Sequence, residues 1–217
     1  MSRAIESVRS AQAPPGADDG VAGRRFYDQV QGAWMVKVLP GEFYVAPPKS
    51  GEVLVTVLGS CVAACIRDHR TGLGGMNHFM LPLAHADGWG DDPQSTRYGN
   101  FAMEKLINEL IKLGCARERM EVKVFGGGNV IDSNQAIGTQ NAQFVMRYLA
   151  AEGLSCASHD LGGVQPRRIH YFPATGRVVR RLLGGSETAV IAREESMYAN
   201  SLTPKKITGD IQLFGDD

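Results

Sequence analysis

At 217 residues the chain is long enough for one domain with a sizeable core and too short for two full domains once its polar ends are set aside. Its 23 basic and 23 acidic residues give a formal net charge of +0, so no global field recruits nucleic acid or an anionic membrane. The four cysteines, Cys61, Cys65, Cys115 and Cys156, form no CxxC pair, the N-terminus lacks an apolar signal-like stretch, and no apolar run approaches the roughly 20 residues of a membrane span. The expectation is a cytoplasmic protein with reduced thiols, no membrane insertion and no nucleic-acid partner.

Residues 1–35 mix Ala, Pro, Gly and charges without sustained periodicity and are expected to be disordered or loosely docked, ahead of a folded domain at 36–185 and a C-terminal tail at 186–217. Two short apolar stretches, VKVL and EFYVA, read as edge strands stopped by Pro and Gly. Lys37 and Tyr44 within them have no evident chemical partner. VLVTVL (53–58) then reads as a buried strand, broken by Gly59-Ser60, with Cys61 just past the break.

After Cys61, VAACI, DHRTG and LGGMNHFML read as strand, turn and strand. A turn centred between His69 and Arg70 sets Cys61 opposite His78, at the roughly 4.5–5.5 Å Cβ separation of cross-strand neighbours. That pairs a thiol with a base able to take its proton. A register slip of one residue would send the two side chains to opposite faces. The alternative makes CVAACIRD the first turns of a helix with Cys61 at its N-terminus, where the dipole also favours thiolate. Against both stands simple core packing, the usual fate of a cysteine between apolar neighbours.

The polar, Gly-rich stretch after Pro82 has the composition of a lid or binding rim, in which Trp89 is either a substrate contact or incidental. His85 with Cys61 and Cys65 lacks the tight ligand spacing of structural zinc, so no metal is expected. A helix follows, with Phe101, Leu106, Ile107, Leu110, Ile111 and Leu113 as its apolar stripe and Gly114 as its stop. A second runs from a Thr139 N-cap to Gly153. EVKVF between them is a strand, and the GGG after it lacks the GK[ST] or GxGxxG context of a phosphate loop. SCASHD, RRIHYF and RVVRRLL read as further strands, with His159 and His170 structural and Arg167 and Arg168 on a solvated edge. The mostly polar tail carries one apolar DIQLF, read as an added strand or a partner-docking segment. Strands alternating with two amphipathic helices fit an α/β class, an α+β layered sandwich.

VTVLGSCVAACIRDHRTGLGGMNHFMLP resembles the signature of the chemoreceptor glutamine deamidases, the CheD family: a strand ending in LGSC, a Gly-rich stretch and an HxMLP tail. RYGNFAMEKLINELIKLGC, EVKVFGGGNV, IGTQNAQFVMRYL and DLGGVQPRRIHYFPATGRV follow in the family's order, so the resemblance covers roughly residues 40 to 185. The strand before LGSC is a residue shorter here than in some relatives. The resemblance implies a β-sheet core flanked by helices with an active-site layout like that of bacterial toxin deamidases, and a deamidase domain at 36–185. It implies Cys61 as nucleophile, His78 as base and Thr56 as an assisting hydroxyl, with no cofactor. The reaction it implies is hydrolysis of glutamine side-chain amides on chemoreceptor cytoplasmic domains, with a CheC-type phosphatase as a second partner. Backbone N–H groups around Ser60 and Cys61 are candidate oxyanion donors, and Gly59, Ser60 and the Trp89 loop candidate substrate contacts. The residues alone leave open a transferase or protease with the same pair of groups, and a non-enzymatic adaptor binding receptors or the phosphatase.

Overall fold

The computed structural model describes residues 22–82, 93–131 and 136–202; His85, Trp89 and the DIQLF segment lie outside them. Ten strands form two mixed sheets. The first has the order β1 (Arg25–Asp28), β2 (Ala33–Lys37), β4 (Val53–Leu58), β9 (Arg167–Phe172), β10 (Arg177–Leu182). The second has the order β3 (Phe43–Ala46), β6 (Gly74–Asn77), β5 (Val62–Asp68), β7 (Met120–Gly126), β8 (Cys156–Leu161). Helices α1 (Pro93–Lys112) and α2 (Ile137–Ala151) cover the second sheet, and α3 (Ser186–Leu202) follows β10. The expected α/β sandwich is the one observed.

The period of two along β5 explains the layering. Val62, Ala64 and Ile66 join Leu106, Leu110, Phe144 and Val145 of the helices in one core. Cys61, Ala63 and Cys65 join Leu54, Leu58, Ile169 and Tyr171 of the first sheet in another. With helices on one side and a sheet on the other, both faces of β5 are dry, so its sequence is a continuous apolar run instead of an alternating one.

Several expectations change. VKVL contributes to β2, an interior strand, because residues expected to be loose supply β1 in antiparallel register with it, Arg25 opposite Val36. Arg25 Nε donates to Glu52 Oε1 at 2.8 Å, and the Tyr44 hydroxyl donates to Glu52 Oε2 at 2.9 Å, which gives Tyr44 the partner its sequence context concealed. The buried stripe of α1 is Met103, Leu106, Ile107 and Leu110, while Phe101, Ile111 and Leu113 are exposed. Phe101 lies two positions before Met103, about 200° away around a helix of 3.6 residues per turn. The second helix starts at Ile137, before Thr139, whose N–H donates to Asn129 Oδ1 at 3.2 Å. Arg167 is buried, its guanidinium donating to the carbonyls of Asp160, Gly162 and Gln165. Residues Ser186–Leu202 of the tail form α3.

Candidate active site

The break at Gly59-Ser60 does more than turn the chain. It carries the backbone from β4 in one sheet to β5 in the other, so Cys61 sits at a corner between the sheets, fully buried. β5 is a strand, which removes the helical alternative. β5 and β6 form the expected hairpin, but Cys65 pairs with Met76 and Ile66 with Gly75, and Val62 bridges Phe79. The turn is therefore centred between Arg70 and Thr71. In this register Cys61 is level with Met80, and His78 is its diagonal neighbour. A pairing displaced by two residues preserves the face where a slip of one would not, and diagonal positions roughly 7–8 Å apart remain within reach of long side chains.

Thr56 approaches from the first sheet. Leu54, Thr56 and Leu58 point inward between the sheets, and the Thr56 Oγ1 to His78 Nδ1 distance is 2.8 Å. Thr56 Oγ1 also lies 2.7 Å from the Val38 carbonyl, which can only accept. The single hydroxyl proton goes to Val38, so Nδ1–H of His78 donates to Thr56 and Nε2 carries the lone pair. Nε2 is buried and makes no hydrogen bond among the described residues. Burial pulls the imidazole down to about 4, only partly opposed by its contact with the Val38 carbonyl, so the ring is neutral at physiological pH.

The backbone N–H groups of the corner converge on one acceptor. Gly59 N–H and Cys61 N–H donate to Glu195 Oε1 at 2.8 and 3.2 Å, and Ser60 N–H donates to Glu195 Oε2. Glu195 is a buried residue of α3, 134 positions along the chain from Cys61. Cys61 Sγ, a His78 ring nitrogen and a Glu195 carboxylate oxygen lie within 4.8 Å of one another. Burial first, and then the adjacent Glu195 carboxylate, push the Cys61 thiol well above its ordinary range. Gly59 is required by this approach: a Cβ there would stand 2.5 Å from Glu195 Oε2 and would collide with Val130.

Comparison with known proteins bears on the family of the chain. Residues 80–182 match the family described as CheD chemotactic sensory transduction. A relative from Rhodopseudomonas palustris is 51% identical over 191 residues, covering 88% of this chain and 89% of its own. One from Bordetella petrii is 52% identical over 203 residues (89% and 88%), and one from Hydrogenovibrio crunogenus 47% over 188 residues (86% and 97%). Each of these relatives bears the description "probable chemoreceptor glutamine deamidase CheD". The chain belongs to the CheD family.

Within this CheD-family chain, the glycine run at the end of β7 supports the corner that carries Cys61. Gly127 N–H donates to the Cys61 carbonyl and Gly128 N–H to the Gly59 carbonyl, both at 2.7 Å, so these amides are spent on backbone and hold no phosphate. Gly126 has φ +111, and a Cβ there would strike the Cys61 carbonyl oxygen. Asn141 on α2, buried, donates from Nδ2 to the Ser60 carbonyl at 2.8 Å and accepts from Leu81 N–H at 2.8 Å. It ties the corner to the strand end bearing His78. Its only signal in the sequence is a polar residue on the buried side of an amphipathic helix.

A cavity of about 550 Å³ opens beside the pair, lined by Thr56 and His78, by Arg168 and His170 of β9, and by Ile191, Glu194 and Glu195 of α3. Of the sequence-predicted residues, Thr56, Gly59, Ser60, Cys61 and His78 converge, and Trp89 lies outside the described residues. Cys61, His78 and Glu195 are ligand types suited to zinc. Both carboxylate oxygens of Glu195 are already engaged by backbone N–H groups of the corner, beside the thiol–imidazole pair.

Proposed function

We propose that the chain is a thiol-dependent deamidase that converts chemoreceptor glutamines to glutamates, with Cys61 as nucleophile, His78 as acid and base, and Thr56 as the group that orients the imidazole. The observation that carries this reading is the juxtaposition of a sulfur, an unpartnered imidazole Nε2 and three N–H donors aimed at one carboxyl-sized space. The Cys61 proton passes to His78 Nε2, and the thiolate attacks the amide carbon of a glutamine side chain. The carbonyl oxygen gains charge and is held by the N–H groups of the corner. Imidazolium protonates the amide nitrogen, the C–N bond breaks, and ammonia leaves a thioester. Water, its proton taken by Nε2, adds to the thioester; the C–S bond breaks, giving glutamate and regenerating the thiol. The Thr56–His78 bond keeps the proton on Nδ1 throughout, so Nε2 is the atom that takes up and returns each proton.

The substrate partner in this reading is the cytoplasmic domain of a chemoreceptor, a CheC-type phosphatase is the second partner, and the reaction takes place in the cytoplasm. No helix of the described residues is long and apolar enough to cross a membrane. The test is mass spectrometry of a chemoreceptor cytoplasmic fragment incubated with wild-type protein or with Cys61→Ala. A gain of about one mass unit at defined glutamines, absent with the variant, is expected. Unchanged glutamines with tight receptor binding would replace the enzyme by an adaptor.

A further inference from the structure

Glu195 does something the reaction itself does not call for. Deamidation yields a glutamate side chain, and here a glutamate side chain on a helix already occupies the N–H groups proposed for the substrate carbonyl. We propose that α3 is a built-in product mimic: Glu195 fills the acyl site, and α3 must leave its seat before a receptor helix carrying the target glutamine can dock there. This rests on the deamidase reading of the site.

The footing of α3 suits a removable cover. Its buried residues are Ile191, Glu195 and Ala199, one stripe at four-residue spacing with a charged group at its centre, while Val190 and Met197 remain exposed. A helix held for stability alone would bury apolar side chains in the middle of that stripe. Beyond the stripe, Tyr198 meets Tyr98 of α1, hydroxyl to hydroxyl at 3.0 Å, and Glu187 reaches Arg181 at the surface.

With α3 in place the site is not poised for attack. The sulfur is inaccessible to solvent, and the nearest negative charge opposes its ionisation. His78 Nε2, the atom that must take the thiol proton, has no hydrogen bond among the described residues. Nor does Glu195 take the part of an orienting carboxylate, because Nδ1 is held by Thr56 and both Glu195 oxygens are held by the corner. Since Ile191, Glu194 and Glu195 form one side of the cavity next to His78, removal of α3 opens that cavity toward Cys61.

The experiment measures iodoacetamide alkylation of Cys61 by peptide mass mapping, together with receptor-fragment deamidation, in full-length wild type, Glu195→Gln and Ile191→Asp. The near-isosteric Glu195→Gln replaces one acceptor oxygen by an N–H₂ group that cannot receive an N–H of the corner. Ile191→Asp loosens the seat one turn away and leaves Glu195 intact, so it carries the test if the first variant fails to fold. Both variants are expected to raise Cys61 alkylation about tenfold or more, equivalent to about 1.4 kcal/mol of lost docking, and to raise deamidation in parallel. Alkylation at the wild-type rate in the folded variants overturns the proposal. So does faster alkylation with deamidation lost in Glu195→Gln, which would make Glu195 part of the catalytic machinery. Faster alkylation when no form, wild type included, deamidates a receptor fragment would leave the cover standing and remove the activity assigned to the site.

Discussion

Two buried carboxylates in this molecule each collect three backbone N–H groups, and only one of them is neutralised. Asp68, at the end of β5, accepts from Arg70, Thr71 and Ala116 N–H and from the Arg119 guanidinium, with Arg119 Nη2 at 2.6 Å from Oδ2. The guanidinium and the backbone N–H groups hold its carboxyl well below the usual range despite burial. Glu195 accepts from Gly59, Ser60 and Cys61 N–H, forms no ion pair among the described residues, and faces a thiol and a neutral imidazole. The donor count is the same, but Asp68 closes its own hairpin turn and Glu195 reaches in from a helix at the far end of the chain. A local carboxylate with a counter-ion is part of the frame; in our proposal, a distant one without a cation, set against the Cys61 thiol, is an occupant that can be exchanged.

The sharpest way to separate the two is by what each loses when its neighbour is removed. Cys61→Ala should lower deamidation by about 10³-fold or more while leaving the melting temperature near wild type, since the N–H groups that hold Glu195 are backbone. A rate near wild type in the folded variant would remove Cys61 from the mechanism. Arg119→Ala strands the Asp68 charge and should lower the midpoint of urea unfolding clearly below wild type. If the midpoint is unchanged, the Asp68 cluster is not part of the frame.

A smaller effect is expected at Thr56. Thr56→Val retains volume and removes the acceptor of Nδ1–H, so kcat should fall by about 10²-fold, with Thr56→Ser recovering most of it. Equal rates for Val and Ser would reduce Thr56 to packing. Titration offers a further contrast. A carboxyl depressed on folding contributes stability above its unfolded value of about 4 and loses it as pH falls through its folded value. Wild type should therefore lose stability on acidification below about pH 4 more steeply than Asp68→Asn, and equal acid limbs would contradict the pairing. The smallest expected change in stability is that of Glu195→Gln, about 1.4 kcal/mol below wild type, the docking lost with one acceptor oxygen of a narrow helix stripe. Its Cys61 alkylation profile should move to lower pH, since the carboxylate that opposes thiolate is gone while His78 and Tyr198 still face the sulfur.

The short apolar, β-branched runs VLVTVL and VAACI, together with RRIHYF, were enough to place most strands, because run length and β-branching are local properties. The hairpin and the shared face of Cys61 and His78 were legible for the same reason. Its centre was not, since DHRTG offers several turn positions, and the hydrogen bonds of Asp68 to Arg70 and Thr71 choose among them. β1 was hidden in a segment of Ala, Pro, Gly and charge; what orders it is the buried Arg25–Glu52 pair, whose members are 27 residues apart.

By itself, then, the sequence determined the strand pattern, the strand-to-strand break at Gly59-Ser60, and a thiol and an imidazole on one face of a hairpin. The tertiary structure decided that β4 and β5 belong to different sheets, which lets Thr56 meet His78 across the space between them. It also decided that the N–H groups of the Gly59–Cys61 corner are filled by Glu195. Nothing near Glu195 in the sequence distinguishes it from a solvated glutamate of a polar helix, because its role comes from N–H groups that only folding brings to it, 134 residues from Cys61.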